Sequence, residues 1–402
     1  MSEWRTVALR DVCSFKGGNA FPQEEQGSMS GVAPFIKVSD LSTSRNRGKI
    51  LEANNWVSAE QIRALKLTLF PAGASVFAKI GEGLKSERVR QLTVPTAIDN
   101  NLMAAVPAIA ADPSFLFYLL QTVRLASHAV GSALPYLTQA TLENVPVRVP
   151  SRWSQQAIAE VLGALDDKIA ANTALIDRLL ALTNAEFAFR FRDRALELPL
   201  GDLVDVVDCL HSRKPELTPT GPTLMQLNNI RDDGLVDRTH NYSISVEDYE
   251  VWSRRFETRA WDLVITNVGR VGAVARIPAG YTVALGRNMT GIRPKAAAES
   301  GSFIAAALHS RAVRREIDQR TDEGSVMSAL NVRSVPLLRV QNSSPSERRD
   351  FHAFAAALFE SADTALAENR TLAATRDALL PQLMSGKLRV RDAEAAASEA
   401  GA

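Results

Sequence analysis

Residues 155–180 read QQAIAEVLGALDDKIAANTALIDRLL. Ile158, Leu162, Leu165, Ile169, Ile176 and Leu179 follow one another at steps of three and four, with Asn172 in the same stripe. That is the pattern of a helix that keeps one apolar seam towards a partner helix, and a single polar seam residue fixes register. A second stretch places Leu358, Ala365, Leu372 and Leu379 seven apart, with Leu366 and Asn369 beside them. Asn369 stands where Asn172 stands in the first stretch. Ser154 and Ser346 are the capping candidates at the two starts. Two unrelated amphipathic helices, each lying on its own domain, would give the same local signal. Seams of four or five heptads at the same place in both halves favour helices that pack on each other.

Working outward, the chain repeats once with an offset of about 190 residues. Val7-Ala8-Leu9-Arg10-Asp11-Val12 returns as Leu198-Pro199-Leu200-Gly201-Asp202-Leu203. Phe35 to Leu41 returns as Leu224 to Ile230, Val76 to Gly81 as Val264 to Gly269, and Ala97 to Leu102 as Ala284 to Met289. Asn144-Val145-Pro146-Val147 returns as Ser334-Val335-Pro336-Leu337. One long period means two copies of a domain rather than a solenoid. Short alternating runs at Pro34 to Val38, Ser75 to Ile80 and Leu263 to Val268 read as strands, and Ser114 to Ala129 and Ser302 to Ile317 as helices. Gly17-Gly18-Asn19 and Gly269-Arg270-Val271-Gly272 read as turns, and Gly81-Glu82-Gly83-Leu84-Lys85 as a hairpin loop. The expected class is α+β: two tandem homologous mixed α/β domains, each followed by a long helix, the helices forming an antiparallel coiled coil. The divisions fall at 1–150, 151–194, 195–342 and 343–391, and the Ala/Glu-rich residues 392–402 are expected to be disordered.

The chain has 402 residues, 46 Lys+Arg against 45 Asp+Glu, and two cysteines. Cys13 and Cys209 lie far apart, which leaves no CxxC pair or zinc cluster and reads as two reduced thiols in the cytoplasm. No membrane-spanning run and no signal-peptide core is present in the sequence. GxGxxG, P-loop and Asn-Pro-Pro-aromatic motifs are missing. His128, His211, His240, His309 and His352 show no metal-ligand spacing. Neither copy carries a nucleophile or an acid/base pair, which points to recognition rather than catalysis, with no catalytic residue, no metal and no cofactor on this chain.

Charge supports that direction at the level of loops. Residues 1–150 hold 15 basic and 12 acidic side chains, and residues 195–342 hold 18 of each. Yet cations gather beside glycine turns: Lys79, Lys85, Arg88 and Arg90 in the first half, Arg254, Arg255, Arg259 and Arg270 in the second. Arg287 and the amides Asn100, Asn101, Asn267 and Asn288 accompany them. Arginine grips phosphates and guanine edges, and amides pair with adenine, so these residues are candidates for DNA contact. Solvated loop charge is the competing explanation for any single one.

The ending Arg376-Asp377-Ala378-Leu379-Leu380-Pro381-Gln382-Leu383-Met384-Ser385-Gly386-Lys387-Leu388 closely resembles the C-terminal signature of type I restriction–modification specificity subunits. Gln156 to Leu162 with Leu165-Asp166-Asp167-Lys168-Ile169 resembles that family's central helix. Thr6 to Cys13 and Gly73 to Gly81 are similar, more loosely, to its target-recognition domain. The resemblance implies two target-recognition domains, each binding one half of a bipartite double-stranded DNA sequence, and a helical ruler that sets the gap. It implies that the seam residues also form a partner interface for two methyltransferase subunits, and through them for restriction subunits. S-adenosylmethionine and the catalytic motif would belong to the methyltransferase. Two other classes stay open: a DNA methyltransferase or nuclease with a divergent site, and a protein-binding scaffold of a phage-defence complex.

Overall fold

The computed structural model describes residues 4–402 except 44, 133, 211–214 and 323–327; His211 lies outside the described residues. The chain divides into two units, Met1–Thr173 with Glu368–Ala402, and Ala174–Ala367.

The main strands of the first unit are β1 (Arg5–Ala8), β2 (Cys13–Gly17), β3 (Lys49–Ile50), β4 (Ser75–Ala78), β5 (Val89–Leu92), β6 (Leu102–Pro107) and β7 (Pro146–Val149). β2–β6–β4–β5–β3 form one sheet, antiparallel except at the β3–β5 edge. β4 is buried at every position, Ser75 included, as befits a central strand rather than a half-exposed one. β1 pairs antiparallel with β7, Val7 opposite Val147, so the first and last strands of the domain close on each other. Helix Pro113–Thr122 begins at Asp112, whose carboxylate accepts the N–H of Ser114 and Phe115, and it buries Phe115 to Leu120.

The second unit repeats this plan with β8 (Leu196–Pro199), β9 (Val204–Asp208), β10 (Leu263–Thr266), β11 (Val274–Arg276), β12 (Met289–Pro294) and β13 (Arg339–Gln341). The sheet order β9–β12–β10–β11 matches β2–β6–β4–β5, and β8 pairs with β13 as β1 does with β7. The duplication read from the sequence is therefore a duplication of topology. Each expected terminal helix is broken in two. In the first unit Leu125–His128 follows Pro113–Thr122 as a 3-10 turn, and in the second Arg311–Gln319 follows Ala297–His309. In both cases the helix stops where one residue, Val123 or Ser310, turns extended.

The long helices are Arg152–Phe191, the central helix, and Pro345–Met384, the distal helix, 40 residues each. Within the first unit their segments pair antiparallel. Ile158, Leu162, Leu165 and Ile169 share a core with Leu372 and Leu379. Asn172 Nδ2 donates to Glu368 Oε2 at 2.6 Å, and Asn369 Nδ2 donates to Thr173 Oγ1 at 3.3 Å, so each seam amide bonds the facing helix. Within the second unit Ile176 and Leu180 share a core with Ala362 and Ala365, and Phe187 and Phe191 pack on Phe351 and Phe303.

Several expectations need correction. The seam passes to Leu180 and Phe359, leaving Leu179, Leu358 and Leu366 only half-buried. A helix of 3.6 residues per turn drifts against a seven-residue repeat, and alanines at 355, 362 and 365 make room for the phenylalanines. The caps are Ser151 and Ser344, not Ser154 and Ser346. Ser154 N–H donates to Ser151 Oγ at 3.4 Å, while Ser344 and Glu347 form a reciprocal capping box. Gly81–Lys85 is a short helix rather than a loop: Leu84 is buried, and a Cβ on Gly83 would lie 2.9 Å from Ala78. The tail is not disordered. Val390–Glu399 is helical and buries Ala393 and Ala397 in the first core, because its alanines recur every four residues.

Candidate nucleic-acid interface

In each unit one backbone frame stands at the end of the second central strand. In the first, Lys79 follows β4; its N–H donates to the Asn101 carbonyl at 2.9 Å and its carbonyl accepts the Leu137 N–H at 2.8 Å. In the second, Asn267 follows β10; its N–H donates to the Asn288 carbonyl at 2.8 Å and its carbonyl accepts the Leu330 N–H at 2.9 Å. A strand end, a tight turn and a loop therefore converge twice in the same way.

What the two frames display differs. Around Lys79 stand Asn100 and Asn101, exposed on a turn organised by Asp99, whose Oδ1 accepts both the N–H and Nδ2 of Asn101 at 2.8 Å. Lys85 is exposed on the short helix, where it pairs with Glu82. Tyr136 and Leu134, which the sequence reading did not single out, are exposed beside it, with Tyr136 bridged to Ile80. Tyr136 lies more than fifty residues from Ile80 in sequence, so no local pattern pointed to it. Arg88 is exposed and donates to Ser42 Oγ at 2.5 Å.

Around Asn267 the outward groups are Arg287, exposed, and Arg270, half-exposed. Arg270 donates to the Ile230 carbonyl at 2.6 Å and pairs with Asp232, which aims its guanidinium. Asn288 holds a left-handed backbone (φ 64°) that Asn tolerates better than most residues. Arg254 and Arg255 are exposed just past helix Val246–Ser253, with Phe256 buried between them and the sheet.

Two candidates are not available to DNA. Asn267 is buried: its Nδ2 donates to the Leu330 carbonyl at 2.9 Å and its Oδ1 accepts Thr290 Oγ1 at 2.8 Å, so both ends of the amide are used inside the fold. Arg90 lies on β5, half-buried beside Asp166 and Arg376 of the paired helices. Burial, with Arg88 and Arg47 nearby, pushes its guanidinium down to about 10. It serves the junction of sheet and helices.

That junction joins the two segments of sequence that resemble conserved helices. Asp166 Oδ1 accepts Arg376 Nη1 at 2.6 Å, and Asp166 Oδ2 accepts the Tyr118 hydroxyl at 2.8 Å. Burial opposes the Arg376 charge, but Asp166 and Asp377 hold its guanidinium above the ordinary value. Gly386, at φ 73°, turns under Trp4, where any Cβ would lie 2.5 Å from the indole nitrogen. Cys13 and Cys209 are free and buried, and burial pushes the Cys13 thiol up to about 12. Among the described residues no cluster of three or more His, Cys, Asp or Glu could hold a metal ion, and no helix is long and apolar enough to cross a membrane.

Residues 1–181 match the family model of the type I restriction modification DNA specificity domain. The chain is 24% identical over 185 residues to the type I restriction enzyme MjaIX specificity subunit of Methanocaldococcus jannaschii. That alignment takes in 45% of this chain and 42% of that protein, so the match spans less than half the length of the curated relative. The crystal structure of a type I restriction–modification S subunit from M. genitalium shares the fold with a TM-score of 0.63, at 15% identity, over 95% of this chain and 96% of that one. Residues 1–181 thus carry a type I restriction modification DNA specificity domain, and the fold of a solved S subunit extends over nearly the whole chain.

Proposed function

We propose that the chain is the sequence-reading, non-catalytic subunit of a type I restriction–modification complex in the cytoplasm, with one half of a bipartite double-stranded DNA target read by each domain. The observation that carries this reading is the repeated frame with unlike side chains. Lys79, Lys85 and Asn101 stand at it in the first domain, and Arg270 and Arg287 in the second, with Arg254 and Arg255 exposed elsewhere on the same domain. One scaffold with two sets of donors suits an asymmetric target. Backbone amides and exposed cations would hold phosphates, and the arginines and amides at the turns would read base edges in the major groove.

The paired helices dock two methyltransferase subunits, which carry S-adenosylmethionine and the chemistry, and through them the restriction subunits. Near-neutral charge fits a subunit that leaves much of the non-specific grip on DNA to its partners. Methylome sequencing of cells carrying the intact system tests this directly. A bipartite methylated motif with a fixed gap is expected; a continuous motif, or methylation by the purified chain alone with labelled S-adenosylmethionine, refutes it. Arg287→Ala should cost about 1–3 kcal/mol and relax one base position, whereas a uniform loss over all sequences would make Arg287 a phosphate contact.

A further inference from the structure

A cleft of about 480 Å³ lies within the first unit, outside the interface described above. Its walls are the end of helix Pro113–Thr122, the turn after it, strand β7 and the last turn of the distal helix. The floor is apolar: Leu119, Val123, Val147, Pro381 and Met384. Arg124, His128 and Arg148 stand at the rim. Arg148 is held in place, donating to the Ser385 carbonyl at 3.0 Å and lying 5.5 Å over the Trp4 ring. Arg124 is exposed. The distal-helix wall belongs to the signature ending, where Pro381 and Met384 contribute side chains and Ser385 a backbone contact.

We propose that this cleft receives an acidic, apolar-anchored segment of the methyltransferase subunit; the inference rests on the partner reading above and names the place and chemistry of one contact. Charge complementarity selects the occupant. A rim of two arginines calls for carboxylates, and the Ser385 carbonyl and the Trp4 ring hold Arg148 in place there. The floor argues against nucleic acid, since a phosphate backbone gains nothing from aliphatic side chains and a methionine, while an aliphatic side chain entering the cleft gains by leaving water. The corresponding elements of the second unit, helix Arg311–Gln319 and strand β13, also carry exposed cations, Arg311, Arg315 and Arg339. A basic margin at this point of the domain is therefore present in both copies.

The test uses the full chain and the methyltransferase subunit encoded with it, mixed without DNA and followed by sedimentation velocity. Arg124→Glu reverses the rim and Thr122→Trp, on an exposed wall position, fills the cleft; thermal melting checks that both fold. Each variant should raise the methyltransferase concentration for half-saturation at least tenfold, and Arg124→Lys should restore most of the affinity. Parental assembly by both folded variants overturns the proposal. Parental assembly with a uniform loss of DNA affinity in Arg124→Glu overturns it in favour of a phosphate contact. If the unmodified chain recruits no methyltransferase, the partner reading itself fails and the cleft proposal with it, which is a different result from failure confined to the variants.

Discussion

Replacing Arg376 by Met removes a guanidinium while keeping an unbranched apolar side chain. The parent arginine donates to Asp166 Oδ1 at 2.6 Å, and the other oxygen of Asp166 accepts the Tyr118 hydroxyl at 2.8 Å. The Asp166 and Arg376 side chains are 17% and 26% exposed, so water partly reaches the pair. Breaking a fully buried pair costs about 3–5 kcal/mol by stranding one charge. Partial exposure reduces this to roughly 2–3 kcal/mol. At roughly 2–4 °C per kcal/mol for a unit of this size, the first unit should melt about 4–12 °C earlier. Tyr118→Phe removes one hydrogen bond to a charged acceptor and should cost about 1.5 kcal/mol. The double change Asp166→Leu with Arg376→Met leaves no stranded charge. It should therefore be at least about 1 kcal/mol more stable than additivity of the single changes allows. Urea titration and calorimetry of the full chain measure the parent, the single variants Arg376→Met, Asp166→Leu and Tyr118→Phe, and the double variant. An Arg376→Met protein within about 0.5 kcal/mol of the parent, or strict additivity in the cycle, would refute the argument that these two helix residues form a coupled clamp.

Other perturbations separate reading residues from scaffold. Asn267→Ala leaves the Leu330 carbonyl and the Thr290 hydroxyl without their buried partner, so stability should fall by about 2–4 kcal/mol with base preference unchanged; relaxed preference at one base with a parental melting temperature would return Asn267 to the interface. His309 ends helix Ala297–His309 with its ring against Gly234, and the loss of water from the ring there lowers its basicity despite nearby Asp233. Its folded form therefore resists a proton that the unfolded chain accepts below about pH 6.5, so its stability contribution is present above that pH and is lost as pH falls below it. The urea midpoint should drop between pH 7.5 and 5.5, less steeply in His309→Leu; parallel slopes count against this account. Finally, inserting one heptad in register into both long helices adds about 10 Å of helix, equivalent to roughly three base pairs of B-DNA. On the proposed reading the methylated motif should widen its gap by that amount, and an unchanged gap would exclude a helical ruler.

Much of the architecture was legible because it rests on periodicity. The seam from Ile158 to Ile176, the repeat of about 190 residues and the strands of the sheet centres are statements about which side chains leave water, and hydrophobic spacing records these directly. The limits appear where a neighbour distant in sequence decides. Leu358 and Phe359 are adjacent and both apolar; the Trp261 ring, 6.0 Å away edge-on, and the Arg276 guanidinium over its face selected Phe359. The alanine tail lacks large apolar residues, yet a core already built by other elements accepts Ala393 and Ala397. Gly83 favours a loop by propensity, but close approach to Val38 and Ala78 favours a helix without a side chain there.

The candidate site divides in the same way. The sequence by itself determined that cations and amides gather at glycine turns in both halves, and that two helices carry matching seams. Only the tertiary structure decided which of those groups face outward. Asn101 and Asn267 are the same residue type, one just before β6 and the other just after β10, and local sequence gives no reason to treat them differently. Asn101 is fixed by a local carboxylate two residues away and stays exposed, whereas Asn267 bonds Thr290 and Leu330 across the fold and is consumed by it. Hydrogen-bond partners supplied by distant segments do not show in local pattern, and a buried polar group is committed to whatever partner the fold brings to it.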